Sequence, residues 1–338
     1  MKKYRVAVVG ATGMVGRTFL KVLEEKNLPV SEYVLFASSR SAGKKLSFMG
    51  SEYTVQELNK HSFDSGFDIA LFSAGGGTSK EFAPIAAEKG CVVIDNSSQW
   101  RMHEDVPLVV PEVNPEDIMK HKGIIANPNC STIQAVVALK PLNDKYNIKR
   151  IVYSTYQAVS GAGVKGYQDL ENGAKAFVNG TDYELQKFPY PIFSNCLPHI
   201  DVFQDDGYTK EEQKMIDETR KILHDDSLLI TATTVRVPVF NSHSESINVE
   251  FYNDYDLDNL KAVLKNAPGV VLMDDPAHEV YPMATVSTGH DEVYVGRVRR
   301  DTSAESAVNL WVVADNIRKG AASNAVQIAE KLIAYWEK

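Results

Sequence analysis

The sequence has little of what would mark a secreted, membrane or nucleic-acid-binding protein. Only three cysteines occur, Cys91, Cys130 and Cys196, odd in number and widely spaced. That argues against a disulfide framework and against a zinc site, so no metal is expected and a reducing cytoplasm is the natural compartment. No stretch of about 18 apolar residues is present. The apolar run that follows Met1-Lys2-Lys3 ends at Gly10, too short for a signal region or a membrane span. Positive charge is not in excess either: 36 Lys and Arg stand against 44 Asp and Glu, a net charge of −8. A field of that sign disfavours nucleic acid and anionic membrane as partners. It leaves room for an anionic small molecule, because a few local cations can hold a phosphate. Repeats and low-complexity tracts are also missing.

What remains is a globular chain of 338 residues, 44% hydrophobic, long enough for two domains. The first half alternates short apolar runs with helical patterns. Val6 to Val9, Tyr33 to Ala37, Asp68 to Phe72, Cys91 to Asp95 and Ile124 to Ala126 read as buried strands. Val15 to Leu23 and Ser79 to Lys89 have helical spacing. This alternation predicts a Rossmann-type parallel sheet with helices on both faces. The second half changes character. Arg150 to Ala158, Leu229 to Pro238 and Ser246 to Tyr252 alternate polar and apolar residues, which predicts an α+β domain with a mostly antiparallel sheet. An irregular insert is expected over Asn172 to Gly207. The expected division is a nucleotide-binding domain over 1–128, a second domain over 129–320, and a last helix, 321–338, returning to the first.

Gly10-Ala11-Thr12-Gly13-Met14-Val15-Gly16 follows the first strand and opens a helix. Glycines there permit a tight turn and close approach to a pyrophosphate, and the helix N-terminus offers free N–H groups. A structural tight turn is the alternative, but the flanking strand and helix favour nucleotide binding. An NAD site usually carries an acid at the end of the second strand. Here the strand ends Ala37-Ser38-Ser39-Arg40-Ser41, with hydroxyls and a cation instead. That composition favours NADP over NAD, although a lone loop arginine is often merely solvated.

Asn127-Pro128-Asn129-Cys130-Ser131-Thr132 lies between a strand and a helical pattern from Ile133 through Ala138. Cys130 would sit at a helix N-terminus, where the thiolate is favoured and N–H groups can hold an oxyanion. Cys91, inside a strand, reads as an inert buried side chain. His243, in a polar break before a strand, is the best base, though eight histidines compete. Thr209-Lys210-Glu211-Glu212 reads as a capping box that starts a helix and puts Glu211 and Lys214 on one face. By itself that pair is equally a surface ion pair.

The glycine loop, the run Asn127 to Thr132, Ser160-Gly161-Ala162-Gly163, Pro111-Glu112-Val113-Asn114 and Arg236-Val237-Pro238 with His243 after it resemble the aspartate-semialdehyde dehydrogenase family. The matches run from residue 10 to about 245, with Asn316 adding one near the end. The resemblance implies an NADP-dependent reduction of L-aspartyl 4-phosphate to L-aspartate 4-semialdehyde through a cysteine thioester. That reaction belongs to biosynthesis of lysine and diaminopimelate, threonine, methionine and isoleucine. Cys130 would be the nucleophile, His243 the acid/base and Gln157 the group orienting the acyl. Arg236 would bind the α-carboxylate and Glu211 the α-ammonium. Arg101, Asn129 and Lys214 would hold the phosphate. The implied cofactor set is Gly10, Thr12, Gly13, Met14, Val15, Gly16, Ser38, Arg40, Ser41, Ser73, Ser160, Gly161 and Asn316. A homodimer or homotetramer is implied. The rival readings are N-acetyl-γ-glutamyl-phosphate reductase, whose acylated amine has no use for Glu211, and a catalytically inactive nucleotide-binding relative. Glyceraldehyde-3-phosphate dehydrogenase fits the residues around Cys130 less well.

Overall fold

The computed structural model describes residues 2–338. The chain forms two compact units, one running to Asn129 and including Ala321–Lys338, the other spanning Cys130–Gly320.

The first unit holds β1 (Tyr4–Val9), α1 (Met14–Lys26), β2 (Val30–Ala37), a small hairpin of β3 (Lys45–Phe48) and β4 (Ser51–Thr54), β5 (Gln56–Glu57), β6 (Ile69–Phe72), α2 (Gly76–Glu88), β7 (Val92–Asp95) and β8 (Ile124–Ala126). Its six-stranded sheet has the order β5-β2-β1-β6-β7-β8, and every pairing in it is parallel. Solid apolar runs make such strands because both faces are covered; in β1 only Arg5 escapes full burial. α1 buries Phe19, Leu20, Val22 and Leu23 and ends where Asn27 turns left-handed, its amide bonding Leu23 O, a common helix stop. The C-terminal helix Ser323–Trp336 contributes Ala325, Val326, Ile328, Ala329 and Leu332 to the same core as β1.

The second unit holds α3 (Cys130–Tyr146), β9 (Ile148–Gln157), α4 (Gly163–Asn179), α5 (Lys210–Leu223), β10 (Leu229–Arg236), β11 (His243–Phe251), α6 (Leu257–Lys265), β12 (Val270–Leu272), α7 (Ala284–Ser287), β13 (Val293–Arg300) and β14 (Ala307–Ala314). The sheet order is β10-β9-β11-β14-β13-β12. Its three central pairings are antiparallel, and the outer pairs β10–β9 and β12–β13 are parallel. The sheet is therefore mixed, with the expected antiparallel character concentrated at its centre. Alternation along β9 and β11 follows from one covered face: α3 packs on β9, β11, β13 and β14, and α5 packs on β10.

Two expectations change. Residues 172–179 are not irregular, because α4 continues through them with Gly173 and Ala176 buried and stops only at left-handed Gly180. This segment reads as loop in sequence because the residues it buries, Gly173 and Ala176, are small. His243 does not precede its strand but begins it.

Candidate active site

In the first unit, a cavity of about 600 Å³ opens at the ends of β1, β2 and β6, lined in part by Gly10, Thr12, Gly13, Ser38, Arg40 and Ser73. Gly10 is left-handed at φ +85, and a Cβ on it would overlap the Ser73 carbonyl. A Cβ on Gly16 would overlap the Gly10 carbonyl. Both positions therefore need glycine, one for the turn and one for helix packing. Gly13 caps α1 without a side-chain bond, so the first turn keeps donors for an anion. A cradle of backbone at a helix N-terminus, with hydroxyls and Arg40 beside it, fits a phosphorylated dinucleotide. Met14, Val15, Gly16 and Ser41 are not among the lining residues. The first three are the opening turn of α1, and Gly16 packs against the Gly10 backbone. Ala74, Thr78 and Phe82 line the cavity although the sequence reading omitted them. The signal was Gly75-Gly76-Gly77, which caps and opens α2 soon after β6, a second glycine-rich helix start. Glu57 also lines the cavity.

Arg101 and Asn129 belong to this unit and are buried. Arg101 donates from Nε to Asn127 O at 3.0 Å and from Nη2 to Asn96 O at 3.1 Å. These two carbonyls fix the guanidinium plane. Asn127 is itself held by Asn96 Oδ1 at 2.7 Å.

The second unit gathers the remaining polar residues from separate elements. Cys130 is the first residue of α3 and half-buried, so the helix dipole acts on its sulfur. A Cβ on Gly320 would lie 2.8 Å from the Cys130 Cβ; only glycine lets that backbone pass behind Cys130. Arg236 and Gln157 are opposite each other on β10 and β9, and His243 continues the row on β11. All three are buried. Arg236 donates from Nη1 to Ala158 O at 2.6 Å, while the amide of Ala158 donates to His243 Nδ1 at 3.0 Å. One backbone residue thus orients both side chains.

That second bond has a chemical consequence. Nδ1 accepts, so the neutral imidazole carries its proton on Nε2. Nε2 has no hydrogen-bond partner, and it converges with Arg236 Nη1 on Gly161: a Cβ there would meet them at 3.3 and 2.9 Å. Burial first, and then the Arg236 charge, push the His243 pKa down to about 3, against an opposing pull from Glu211. The ring is therefore neutral at physiological pH. Burial also lowers the Arg236 pKa, while the negative charges of Glu211 and Cys130 oppose it; Arg236 stays charged in any case.

Glu211 lies in the first turn of α5, started by the expected capping box, with Glu212 N donating to Thr209 Oγ1 at 3.3 Å and Thr209 N to Glu212 Oε2 at 2.7 Å. Gln157 Nε2 donates to Glu211 Oε1 at 3.1 Å, and Lys214 Nζ pairs with Glu211 Oε2 at 3.1 Å. Lys214 also meets Asp201 at 2.7 Å, a partner absent from the sequence reading. Burial works against the Lys214 ammonium, but Glu211 and Asp201 outweigh it and hold its pKa above the ordinary value. Asn316 Nδ2 donates to Ser160 Oγ at 3.0 Å, and its Oδ1 accepts from Ser242 N at 2.9 Å. Ser242 is left-handed at φ +71, so Asn316 helps hold the bend that delivers His243 to its strand. Cys91 is buried and burial raises its thiol pKa, in keeping with an inert role. Cys196 is exposed.

Comparison with known proteins places both units in one family. Residues 5–121 match the family model for the semialdehyde dehydrogenase NAD binding domain, and residues 139–319 that for the semialdehyde dehydrogenase dimerisation domain. An aspartate-semialdehyde dehydrogenase of Aquifex aeolicus is 63% identical, covering 98% of each chain. The structure of aspartate semialdehyde dehydrogenase II from Vibrio cholerae complexed with ASA is 50% identical, covers 99% of each chain and superposes with a TM-score of 0.96. That of Candida albicans aspartate semialdehyde dehydrogenase with NADP is 27% identical over 98% of this chain and 99% of its own, with a TM-score of 0.77.

Proposed function

The chain belongs to the aspartate-semialdehyde dehydrogenase family, and on that premise we propose which residues perform its NADP-dependent reaction. Cys130 attacks the acyl carbon of L-aspartyl 4-phosphate and forms a thioester as phosphate leaves. Its place at the start of α3 supports this, since the helix N-terminus stabilises the thiolate and then the oxyanion. Bound NADPH supplies the hydride that reduces the thioester, after which the hemithioacetal releases the semialdehyde. His243 moves protons through Nε2 alone, because Nδ1 accepts from Ala158. Its resting form is a neutral donor suited to the oxygen that gains charge, and a proton given to that oxygen returns to Nε2 as the carbonyl re-forms and the Cys130 thiolate leaves.

Gln157 orients the acyl group. Arg236, a planar fork fixed by the Ala158 carbonyl, receives the α-carboxylate. Glu211 receives the α-ammonium, and Lys214 beside it receives phosphate; the family resemblance assigns phosphate binding to Arg101 and Asn129 as well. In the nucleotide cavity Gly10, Thr12 and Gly13 face the pyrophosphate, and Ser38 and Arg40 take the 2′-phosphate. Ser160, Gly161 and Asn316 are assigned to the nicotinamide end.

The observation that carries the substrate reading is the buried Glu211, held by Gln157 and Lys214. A carboxylate there suits a charged amine and is wasted on an acetylated one. Reduction of NADP should therefore proceed with L-aspartate semialdehyde and phosphate and fail with N-acetyl-glutamate semialdehyde; the reverse preference would refute the assignment. No helix among the described residues is long and apolar enough to cross a membrane, and a cytoplasmic enzyme is the proposed setting. The open face of the second sheet presents Tyr156, 40% exposed, with its ring 5.5 Å from that of Trp311. A second copy of the chain covering this face, as a homodimer, accords with the dimerisation-domain match; light scattering on the purified enzyme tests it.

A further inference from the structure

Beneath the row Arg236–Gln157–His243 lies a second row, two residues away along each strand. Thr234 on β10 is opposite Thr155 on β9, Thr155 opposite Glu245 on β11, and Glu245 opposite Val312 on β14. All four are fully buried. The row below that, Ala232–Tyr153–Ile247–Leu310, is apolar apart from a tyrosine hydroxyl that meets Thr219 at 3.1 Å. The middle row is different. Neither oxygen of the Glu245 carboxyl has a hydrogen-bond partner, and neither does Thr234 Oγ1. Gln134 of α3 reaches the same place: its Nε2 donates to the carbonyls of His243 and Val312, and its Oε1 has no partner.

A carboxyl with no partner in a sealed site is a burden that leucine would not impose. Its position one step behind the reacting groups asks for a role. Burial keeps Glu245 protonated by raising its pKa well above the ordinary carboxyl value. A neutral carboxylic acid is a donor as well as an acceptor. Two neighbours can use a donor, Gln134 Oε1 and the Thr155 hydroxyl, and Thr155 is the one tied to the row above, because it gives its own hydroxyl hydrogen to Gln157 Oε1 at 3.1 Å. Gln157 in turn gives Nε2 to Glu211.

We propose that Glu245 is a positioning residue for the reaction: as a neutral acid it donates to the Thr155 hydroxyl through one buried water, and so keeps the Thr155 hydrogen on Gln157. The amide is thereby locked with its oxygen toward Thr155 and its nitrogen toward Glu211. A free hydroxyl rotor would let it turn. The inference rests on the reading of Gln157 as the group that orients the acyl.

The test uses the full enzyme with NADP, L-aspartate semialdehyde and phosphate. E245L should lower kcat about tenfold or more, as loss of positioning does, with little change in KM and no loss of thermal stability. E245Q, which keeps a donor, should recover most of that loss. T155V should resemble E245L, and the double variant should be no worse than the worse single one, because both break one chain of bonds. Full kcat in E245L, or losses that multiply in the double variant, would overturn the proposal. If E245L does not fold, the infrared spectrum decides: a protonated-carboxyl stretch present in the wild type at neutral pH and absent in E245Q supports it, and no such band sinks it. Q157A separates the two levels. Undiminished kcat in Q157A removes the reading of Gln157 itself, whereas a crippled Q157A beside an unaffected E245L removes only the role of Glu245.

Discussion

The two units build their candidate sites by different means. The nucleotide cavity is made mainly of backbone: Gly10 turns left-handed against Ser73, Gly16 packs on Gly10, and α1 presents its first turn without a side-chain cap. The candidate catalytic cluster is made of side chains brought from α3, α5, β9, β10 and β11: the Ala158 backbone sets both His243 and Arg236, and Gln157 and Lys214 share Glu211. A backbone site is damaged by adding atoms, and a side-chain site by removing them. That asymmetry can be tested residue by residue.

The largest effect is expected where one atom is removed from the side-chain site. C130A should lower turnover by about 10⁴-fold or more, while NADPH binding, followed by fluorescence, and the melting temperature stay near wild type. Loss of NADPH binding in C130A would break the separation between the two sites. The converse is G10V, which adds atoms to the backbone site. It strains a left-handed residue and crowds Ser73, and should weaken NADPH binding by roughly tenfold to a hundredfold. Alkylation of Cys130 in that variant should keep its normal rate.

R236K keeps the charge but loses the planar fork. The KM for L-aspartate semialdehyde should rise by about tenfold, the worth of one charge-assisted bond. A pH series gives a smaller effect. His243 is held neutral in the fold, with its pKa lowered from 6.5 to about 3, so the unfolded chain binds the extra proton in that window. The stability that His243 contributes is complete above pH 6.5 and drains away as pH falls toward 3. Glu245 acts in the other sense: its raised pKa withholds stability once pH exceeds the ordinary carboxyl range, and the penalty disappears at lower pH. Thermal melts of wild type, H243N and E245Q across pH should show these opposite slopes. T209A should have the least effect, about 1 kcal/mol of stability from the lost cap, read from urea unfolding.

Backbone features were the more legible in sequence. Solid apolar runs around Gly10 announced the parallel sheet and the turn, because burial on both faces leaves a one-dimensional mark. Cys130 could be placed at a helix start because Asn127-Pro128-Asn129 ends a strand immediately before it. The pairing of Gln157 with Glu211 was not legible, since 54 residues separate them and register is decided by the sheet as a whole. The need for glycine at 320 has the same origin: its neighbour Cys130 is distant in sequence. Residues 172–179 of α4 read as loop in sequence because the residues they bury, Gly173 and Ala176, are small. Roles for Arg236 and Glu211 came from family resemblance, and their geometry then supplied a physical basis.

Competitive alkylation of the three thiols with iodoacetamide, followed by peptide mapping, addresses the ionised sulfur at the start of α3. Cys130 should be labelled first at neutral pH, in step with loss of activity, and phosphate with L-aspartate semialdehyde should protect it. Earlier labelling of the exposed Cys196, or of the buried Cys91, with activity intact would contradict the assignment of Cys130 as the nucleophile.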